Sequence, residues 1–303
     1  MKVSFVATVI NEELTIKAFL NSIFSQSKIP DEVIIVDGGS TDGTLDILSR
    51  YKVSVISKKG NRSVGRNEAI REAKNEIIAC SDSGCILDKD WVKNIVKPFN
   101  NPKIDVVAGY YKGIARTVFE KSLIPYVLVM PDKVNPDTFL PATRSMAFKK
   151  SIWKKAGGFP EEFSNNEDYV FAKNLKRIGA RIVFEKSAIA NWIPRKNIKE
   201  AFVMFYRFAL GDAEAKIFRP KVGFIFQRYI IGLALVLLFL DLKSSPILYA
   251  VCILLVLYIL WSIFKNFKYV KDLRGIIYLP LIQFASDLAV IYGSIVGLLV
   301  KSK

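Results

Sequence analysis

Two short apolar runs, each closed by an aspartate, constrain this 303-residue chain more than any other feature. The first, Glu32-Val33-Ile34-Ile35-Val36-Asp37, runs into Gly38-Gly39-Ser40-Thr41-Asp42-Gly43-Thr44. The second, Glu76-Ile77-Ile78-Ala79-Cys80-Ser81-Asp82, runs into Ser83-Gly84-Cys85. Unbroken apolar runs of this length, stopped by a turn, mark strands buried on both faces, as in a parallel sheet. Open α/β sheets bind ligands outside the carboxyl ends of their strands. Both acids are therefore expected at a ligand-reading edge.

The neighbouring pattern extends that expectation. Residues 3–9 read as a strand, and Asn11 or Glu12 opens a helix to about residue 26. After the strand ending at Asp37 come a helix over 43–50, a strand over 53–57, a helix over 64–73 and the strand ending at Asp82. A helix over 91–99 and a strand over 104–108 follow. Such alternation with short connections predicts an α/β fold with a doubly wound, mostly parallel sheet. The rhythm breaks between 110 and 142, where Ile124-Pro125-Tyr126-Val127-Leu128-Val129-Met130-Pro131 reads either as a loop on the core or as an interfacial segment. Strands over 145–148 and 181–184, a helix over 166–178 and an amphipathic helix over 198–217 complete the soluble part.

The last quarter is different. Three apolar stretches, 224–240, 246–264 and 276–300, are long enough to span a bilayer. The first holds Gln227 and Arg228 near its start, the second has no charge, and the third carries Asp287. A hydrophobic content of 51% and a mean hydropathy of +0.26 exceed those of an ordinary soluble protein, and the excess is concentrated after about residue 223. The division expected is 1–220 for the α/β domain and 221–303 for an anchor of about three helices. The linker 265–274 is basic, so the positive-inside rule predicts a multi-pass protein of the cytoplasmic membrane whose N-terminal domain faces the cytosol. Three spans leave the carboxyl terminus outside, against the sense of Lys301 and Lys303. A net charge of +16 fits apposition to anionic lipid, and no nucleic-acid module is present to explain it otherwise.

Histidine is absent, which excludes His-based triads, His general bases and His-ligated zinc. The three cysteines form no C-x-x-C pair, so a reducing cytosol is expected. No signal peptide is visible, because a strand-like segment meets Asn11-Glu12-Glu13 almost at once.

Each candidate site residue has a plainer reading. Asp37 and Asp42 flank a glycine-rich turn and suit a base N–H or ribose hydroxyls, yet the turn also reads as a plain strand–helix connection in which Ser40, Thr41 or Asp42 caps the next helix. Asp82 is a candidate ligand for Mg²⁺ or Mn²⁺ bridging a diphosphate, or a turn aspartate at a strand end. Arg62 and Arg66, at a helix start, offer an anion cradle or a solvated helix terminus. Asp168 suits a general base, although Ser164-x-x-Glu167 matches a capping box, and spacing alone favours the cap. The G-x-G-x-x-G pattern of dinucleotide sites is missing.

Taken in order, Val9-Ile10-Asn11-Glu12-Glu13, the segment from Val36 to Thr44, Gly65-Arg66-Asn67-Glu68-Ala69, Ser81-Asp82-Ser83-Gly84-Cys85, Gly157-Gly158-Phe159 and Asn166-Glu167-Asp168 resemble the markers of family 2 glycosyltransferases with the GT-A fold. The resemblance covers roughly residues 3–215. It implies an inverting transfer from a nucleoside-diphosphate sugar, UDP- or GDP-linked, without a covalent intermediate. Under it Asp37 reads the base, Asp82 is the first acid of D-x-D, and Asp168 is the base of the E-D pair. Thr8 and Glu12 fall where the first strand–helix turn approaches the nucleotide.

Three departures stand out. Gly84 replaces the second D-x-D acid, the metal-ligating histidine sometimes found after the E-D helix is absent with Asn191 in that region, and no Q-x-x-R-W is present. The last implies addition of single sugars rather than processive synthesis. A membrane-side acceptor, a lipid-linked glycan or a polyprenyl phosphate, is expected, with Arg144, Arg195 and Arg207 as candidate phosphate partners. Arg144 and Arg195 read equally well as surface residues. The alternative from another class is a membrane-anchored nucleotide-sugar-binding scaffold without catalysis.

Overall fold

The computed structural model describes residues 1–300. It divides into two compact units, one of residues 1–114 and 128–193 and the other of 115–127 and 194 onward. The second unit thus begins well before residue 221 and takes in a segment from the middle of the chain.

In chain order the elements are β1 (Val3–Val9), α1 (Ile16–Phe24), β2 (Glu32–Asp37), α2 (Thr44–Leu48), β3 (Ser54–Ser57), α3 (Arg62–Glu72), β4 (Ile77–Cys80), β5 (Cys85–Leu87), α4 (Trp91–Val96) and β6 (Val106–Gly113). Then come α5 (Val118–Val127), β7 (Met146–Lys149), α6 (Lys150–Lys155), α7 (Glu167–Arg177), β8 (Ile182–Trp192), α8 (Ile198–Glu214), α9 (Pro220–Leu242), α10 (Ser245–Val270) and α11 (Gly275–Val300).

The strands form one sheet in the order β3-β2-β1-β4-β7-β6-β8-β5. β3, β2, β1 and β4 run parallel, β7 is antiparallel to both β4 and β6, and β8 runs parallel to β6. Val6, Ile34, Ile78 and Phe148 from neighbouring strands are buried against Ile70 of α3 and Phe171 of α7. Phe159 and Phe171 pack as tilted rings with centroids 4.1 Å apart, and Phe148 meets Phe171 edge-on at 5.6 Å. The turn before Phe159 requires left-handed backbone at Gly157 and Gly158 (φ +85° and +80°), which glycine adopts without a Cβ clash. This aromatic cluster fixes the start of α7 relative to the sheet.

Several boundaries differ from the sequence expectation, each for a local reason. α1 starts at Ile16 rather than at Asn11 or Glu12, because Asn11 is left-handed (φ 52°) and the Glu12 carbonyl first closes a turn on Thr15 and Ile16. β4 stops at Cys80, which leaves Asp82 in the loop beyond it. β8 continues to Trp192, because a register break at Gly109/Tyr110 lets it keep pairing with β6 across a polar stretch. Residues 118–127 form α5, with Pro125 inside its last turn, so the first half of the 124–131 segment is helical, while 128–130 run on irregularly to a short 3-10 turn at Pro131–Lys133.

In the second unit α9, α10 and α11 are each long and apolar enough to cross a membrane. α8 packs along α11, and α5 touches α10 and α11, with the Tyr126 hydroxyl donating to the Leu279 carbonyl at 2.9 Å.

Candidate active site

The carboxyl edge of the parallel strands gathers most of the residues singled out above. In register, Val9 of β1 faces Asp37 of β2, and Val6 faces Cys80 of β4, so Thr8 and Asp82 lie at one level of the edge. Cys80 faces Met146 of β7, which brings Arg144 opposite Asp82, and the Ser81 hydroxyl donates to the Arg144 carbonyl at 2.7 Å.

Asp37 is buried, and its carboxylate accepts from the amides of Gly39 and Ser40 at 2.9 and 3.0 Å. Gly39 sits at φ +105°, a conformation that folds both amides back onto the acid. Asn11 braces the same loop, its Oδ1 accepting from the Thr41 amide and its own amide donating to Ser40 Oγ. Gly43 is the N-cap of α2, and Asp42 before it braces the turn: it accepts from the Thr44 amide and hydroxyl and from the Glu13 amide, and the Thr44 hydroxyl holds its carboxyl below the ordinary value. Glu12 reaches across to the second loop, where the Ser83 hydroxyl donates to it at 2.9 Å. Thr8 touches α3 at Gly65, where any Cβ would come within 2.7 Å of the Thr8 methyl.

Asp82 and the Glu167-Asp168 pair are joined by one arginine. Arg66, only 4% exposed, places Nη2 2.9 Å from Asp82 Oδ1 and Nη1 2.6 Å from Glu167 Oε1. Glu167 therefore does not close a capping box with Ser164; its carboxylate turns inward to Arg66, and Asn166, at φ 58°, makes no side-chain cap. This overturns the cap that spacing alone favours. Asp168, next in the chain, points its Oδ1 at the Tyr169 amide. Burial raises the Asp168 carboxyl, and Glu167 beside it adds to the rise, against Arg144 and Arg66. Burial also acts to raise Asp82, but Arg66, Arg144 and Arg62 outweigh it and hold that carboxyl below the usual range. Asp82 and Asp168 are thus driven in opposite directions, one to stay charged and one to be a stronger base.

Arg144 lies over the rings of Tyr111 (5.6 Å) and Trp192 (5.8 Å), so its cation is stacked rather than a loose surface charge. Arg195 and Arg207 belong to the second unit, where both are exposed. Asn191 donates to Asp88 and to the Ile86 carbonyl, a bond set that fastens β8 to β5. The thiols of Cys80 and Cys85 are buried behind Asp82, and burial pushes each up to about 12.

No cluster of three or more His, Cys, Asp or Glu side chains suited to a metal occurs among the described residues. Asp82, about a third exposed, is the one hard carboxylate at the second loop, and a Cβ on Gly84 would meet nothing within 4 Å. That donor set fits an ion held by one protein carboxylate and completed by substrate phosphates and water, the usual habit of Mg²⁺.

Sequence reasoning missed Glu167 as the partner of Arg66, and Tyr111 and Trp192 as the bed of Arg144. The first pair is 101 residues apart in the chain, and no local pattern joins them.

Comparison with known proteins agrees with this geometry. The family described as glycosyl transferase family 2 matches residues 4–155. The O-antigen chain rhamnosyltransferase RfbN of Salmonella typhimurium is 25% identical over 222 residues, covering 67% of this chain and 71% of that protein. A poly(ribitol-phosphate) beta-glucosyltransferase of Bacillus spizizenii is 32% identical over 185 residues, 57% of this chain but only 29% of its own length. Among solved structures, the mannosyltransferase PcManGT from Pyrobaculum calidifontis, in complex with GDP-Man and Mn²⁺, has a TM-score of 0.67 at 18% identity. That match covers 96% of this chain and 87% of the other, and it establishes the shared fold.

Proposed function

Because the chain belongs to glycosyltransferase family 2, we propose that it is an inverting, non-processive enzyme that moves one sugar from a UDP- or GDP-linked donor to a membrane-associated acceptor. The observation that carries this reading is the Arg66 bridge, which holds the acid of the metal loop and the acid pair of α7 at one edge of the sheet. Asp37, Gly39 and Ser40 form the floor for the nucleoside, with Thr8 and Glu12 beside it. Asp168 takes the proton from an acceptor hydroxyl as that oxygen attacks the anomeric carbon, while the bond to the diphosphate breaks on the opposite face. Arg144, stacked and fixed, is placed to receive negative charge on the departing nucleoside diphosphate. A divalent ion, Mg²⁺ or Mn²⁺, held by Asp82 would add Lewis-acid neutralisation of that same charge.

The acceptor is proposed to be a lipid-linked glycan or a polyprenyl phosphate. The intact Glu167-Asp168 pair favours a hydroxyl, since a phosphate is already anionic at neutral pH and needs cations more than a base. The C-terminal helices would anchor the protein in the cytoplasmic membrane, with the site unit in the cytosol, as the basic linker 265–274 suggests. The test is thermal-shift screening with UDP-, GDP- and dTDP-sugars, with and without Mn²⁺, followed by an assay for nucleoside diphosphate release. Stabilisation by one nucleotide class with turnover is the expected result. Binding without release under any acceptor or metal would leave a nucleotide-sugar-binding scaffold instead.

A further inference from the structure

The three apolar helices of the second unit are not alike. α9 and α10 expose large apolar side chains over most of their surface, among them Phe224, Ile231, Leu238 and Leu254, and α10 buries only Ser262, Asn266 and Val270 near its end. α11 exposes such side chains on one face only. Ile277, Leu281, Leu288, Tyr292 and Ile295 are exposed at helical spacing, whereas Leu279, Ile282, Gln283, Ser286 and Asp287 are buried against protein.

The positions of the helix ends add a constraint. α9 and α10 are joined by Lys243 and Ser244 alone, and the Arg228 guanidinium lies 4.4 Å from the Tyr258 ring. Those two residues are equally far from the turn to within one position, as an antiparallel hairpin requires. A hairpin that crosses a bilayer has Pro220 and Val270 on the same side. α11 begins beside Val270, for a Cβ on Gly275 would come within 2.9 Å of the Val270 side chain. It finishes beside the last turns of α8: a Cβ on Gly293 would lie 2.5 Å from the Tyr206 carbonyl oxygen, and one on Gly297 2.7 Å from the Ala213 Cβ. The end of α8 is in turn clamped to the start of α9, because Arg219, next to Pro220, makes a two-pronged pair with Asp212 at 2.5 and 2.9 Å. Both ends of α11 therefore adjoin the side from which the hairpin enters. A 26-residue helix is about 39 Å long, enough to cross, and such a crossing would carry its far end to the opposite side.

We propose that only α9 and α10 cross the bilayer, and that α11 lies along the cytosolic leaflet as a strap whose apolar face contacts lipid. The proposal rests on the membrane attachment read above and replaces three spans by two. The strap is pinned at its middle: Asp287 accepts from Arg228 at 2.7 Å, from the Tyr229 and Tyr258 hydroxyls, and from Gln283 at 3.0 Å. Basic residues flank it at both ends, Lys271 and Arg274 before and Lys301 and Lys303 after. Cations at both ends suit a helix lying at an anionic surface.

The experiment uses the full chain with Cys252 changed to serine, since Cys80 and Cys85 are buried. Single cysteines are introduced as Ser244→Cys, Leu273→Cys and Ser302→Cys and probed with an impermeant maleimide on intact cells and on inverted membrane vesicles. The proposal expects residue 244 to label on intact cells, and residues 273 and 302 to label only in inverted vesicles. Labelling of both 244 and 302 on intact cells would overturn it while leaving the anchor intact. Release of the protein by a carbonate wash would instead remove the membrane reading on which it stands. A second readout is the depth of spin labels at Ile277→Cys, Leu288→Cys and Ile295→Cys. One shallow depth for all three supports the strap, and a maximum at 288 with shallow ends rejects it.

Discussion

The two acidic loops at the sheet edge use their carboxylates in opposite ways. In the loop after β2, Asp37 and Asp42 are closed on backbone amides and a neighbouring hydroxyl, so the acids shape the chain. In the loop after β4 and at the start of α7, the carboxylates of Asp82 and Glu167 are held by an arginine, and Asp168 is left raised beside them. An acid satisfied by its own loop is preorganised to present a surface. Acids sharing a cation are poised to exchange charge when a ligand arrives. Sequence position at a strand end is common to both and does not distinguish them.

Substitutions at the two loops should separate these uses. The largest effect is expected for Asp168→Asn, with transfer reduced by about 10²–10⁴-fold and donor binding retained in a thermal-shift titration. Its carboxyl is raised, so the ionised form is disfavoured in the folded state. Removing that charge should therefore raise Tm at neutral pH and leave it unchanged well below the unfolded pKa. The wild-type rate should also fall with decreasing pH at a value above that of an ordinary aspartate. Near-normal turnover in Asp168→Asn would reject the base assignment.

Arg66→Met comes next. It leaves buried Glu167 without its partner, and a loss of about 3–5 kcal/mol in urea unfolding is expected for an uncompensated buried charge. Stability equal to wild type would show that the bridge between the two loops is dispensable. Gly84→Asp should have a smaller effect, a gain of about tenfold in Mn²⁺ affinity by titration, for one added carboxylate with open space around it. Unchanged affinity would place the ion elsewhere. The smallest effect is expected for Asp42→Ala, a slight fall in Tm with unchanged turnover. A large rise in KM for the donor would move Asp42 from turn brace to ligand.

The parallel half of the fold is legible because β1, β2 and β4 are buried on both faces and each closes on a polar turn. That same pattern marks Asp37 and Asp82. β8 is not, since Glu185, Lys186 and Ser187 interrupt its apolar run and its continuation depends on a register break in β6. α5 is masked by Pro125, which reads as a helix breaker; only two residues of helix follow it. The inward turn of Glu167 is illegible for a stronger reason. Its capping-box spacing is a genuine local preference, overridden by a cation brought from a distant helix.

Cys80 and Cys85 carry a practical corollary. Thiols pushed up to about 12 hold their protons at physiological pH, and a protonated thiol is a poor nucleophile towards peroxides or disulfides. The wall behind Asp82 should therefore be indifferent to the redox poise of its surroundings. Of the three thiols only that of Cys252, on α10, is exposed.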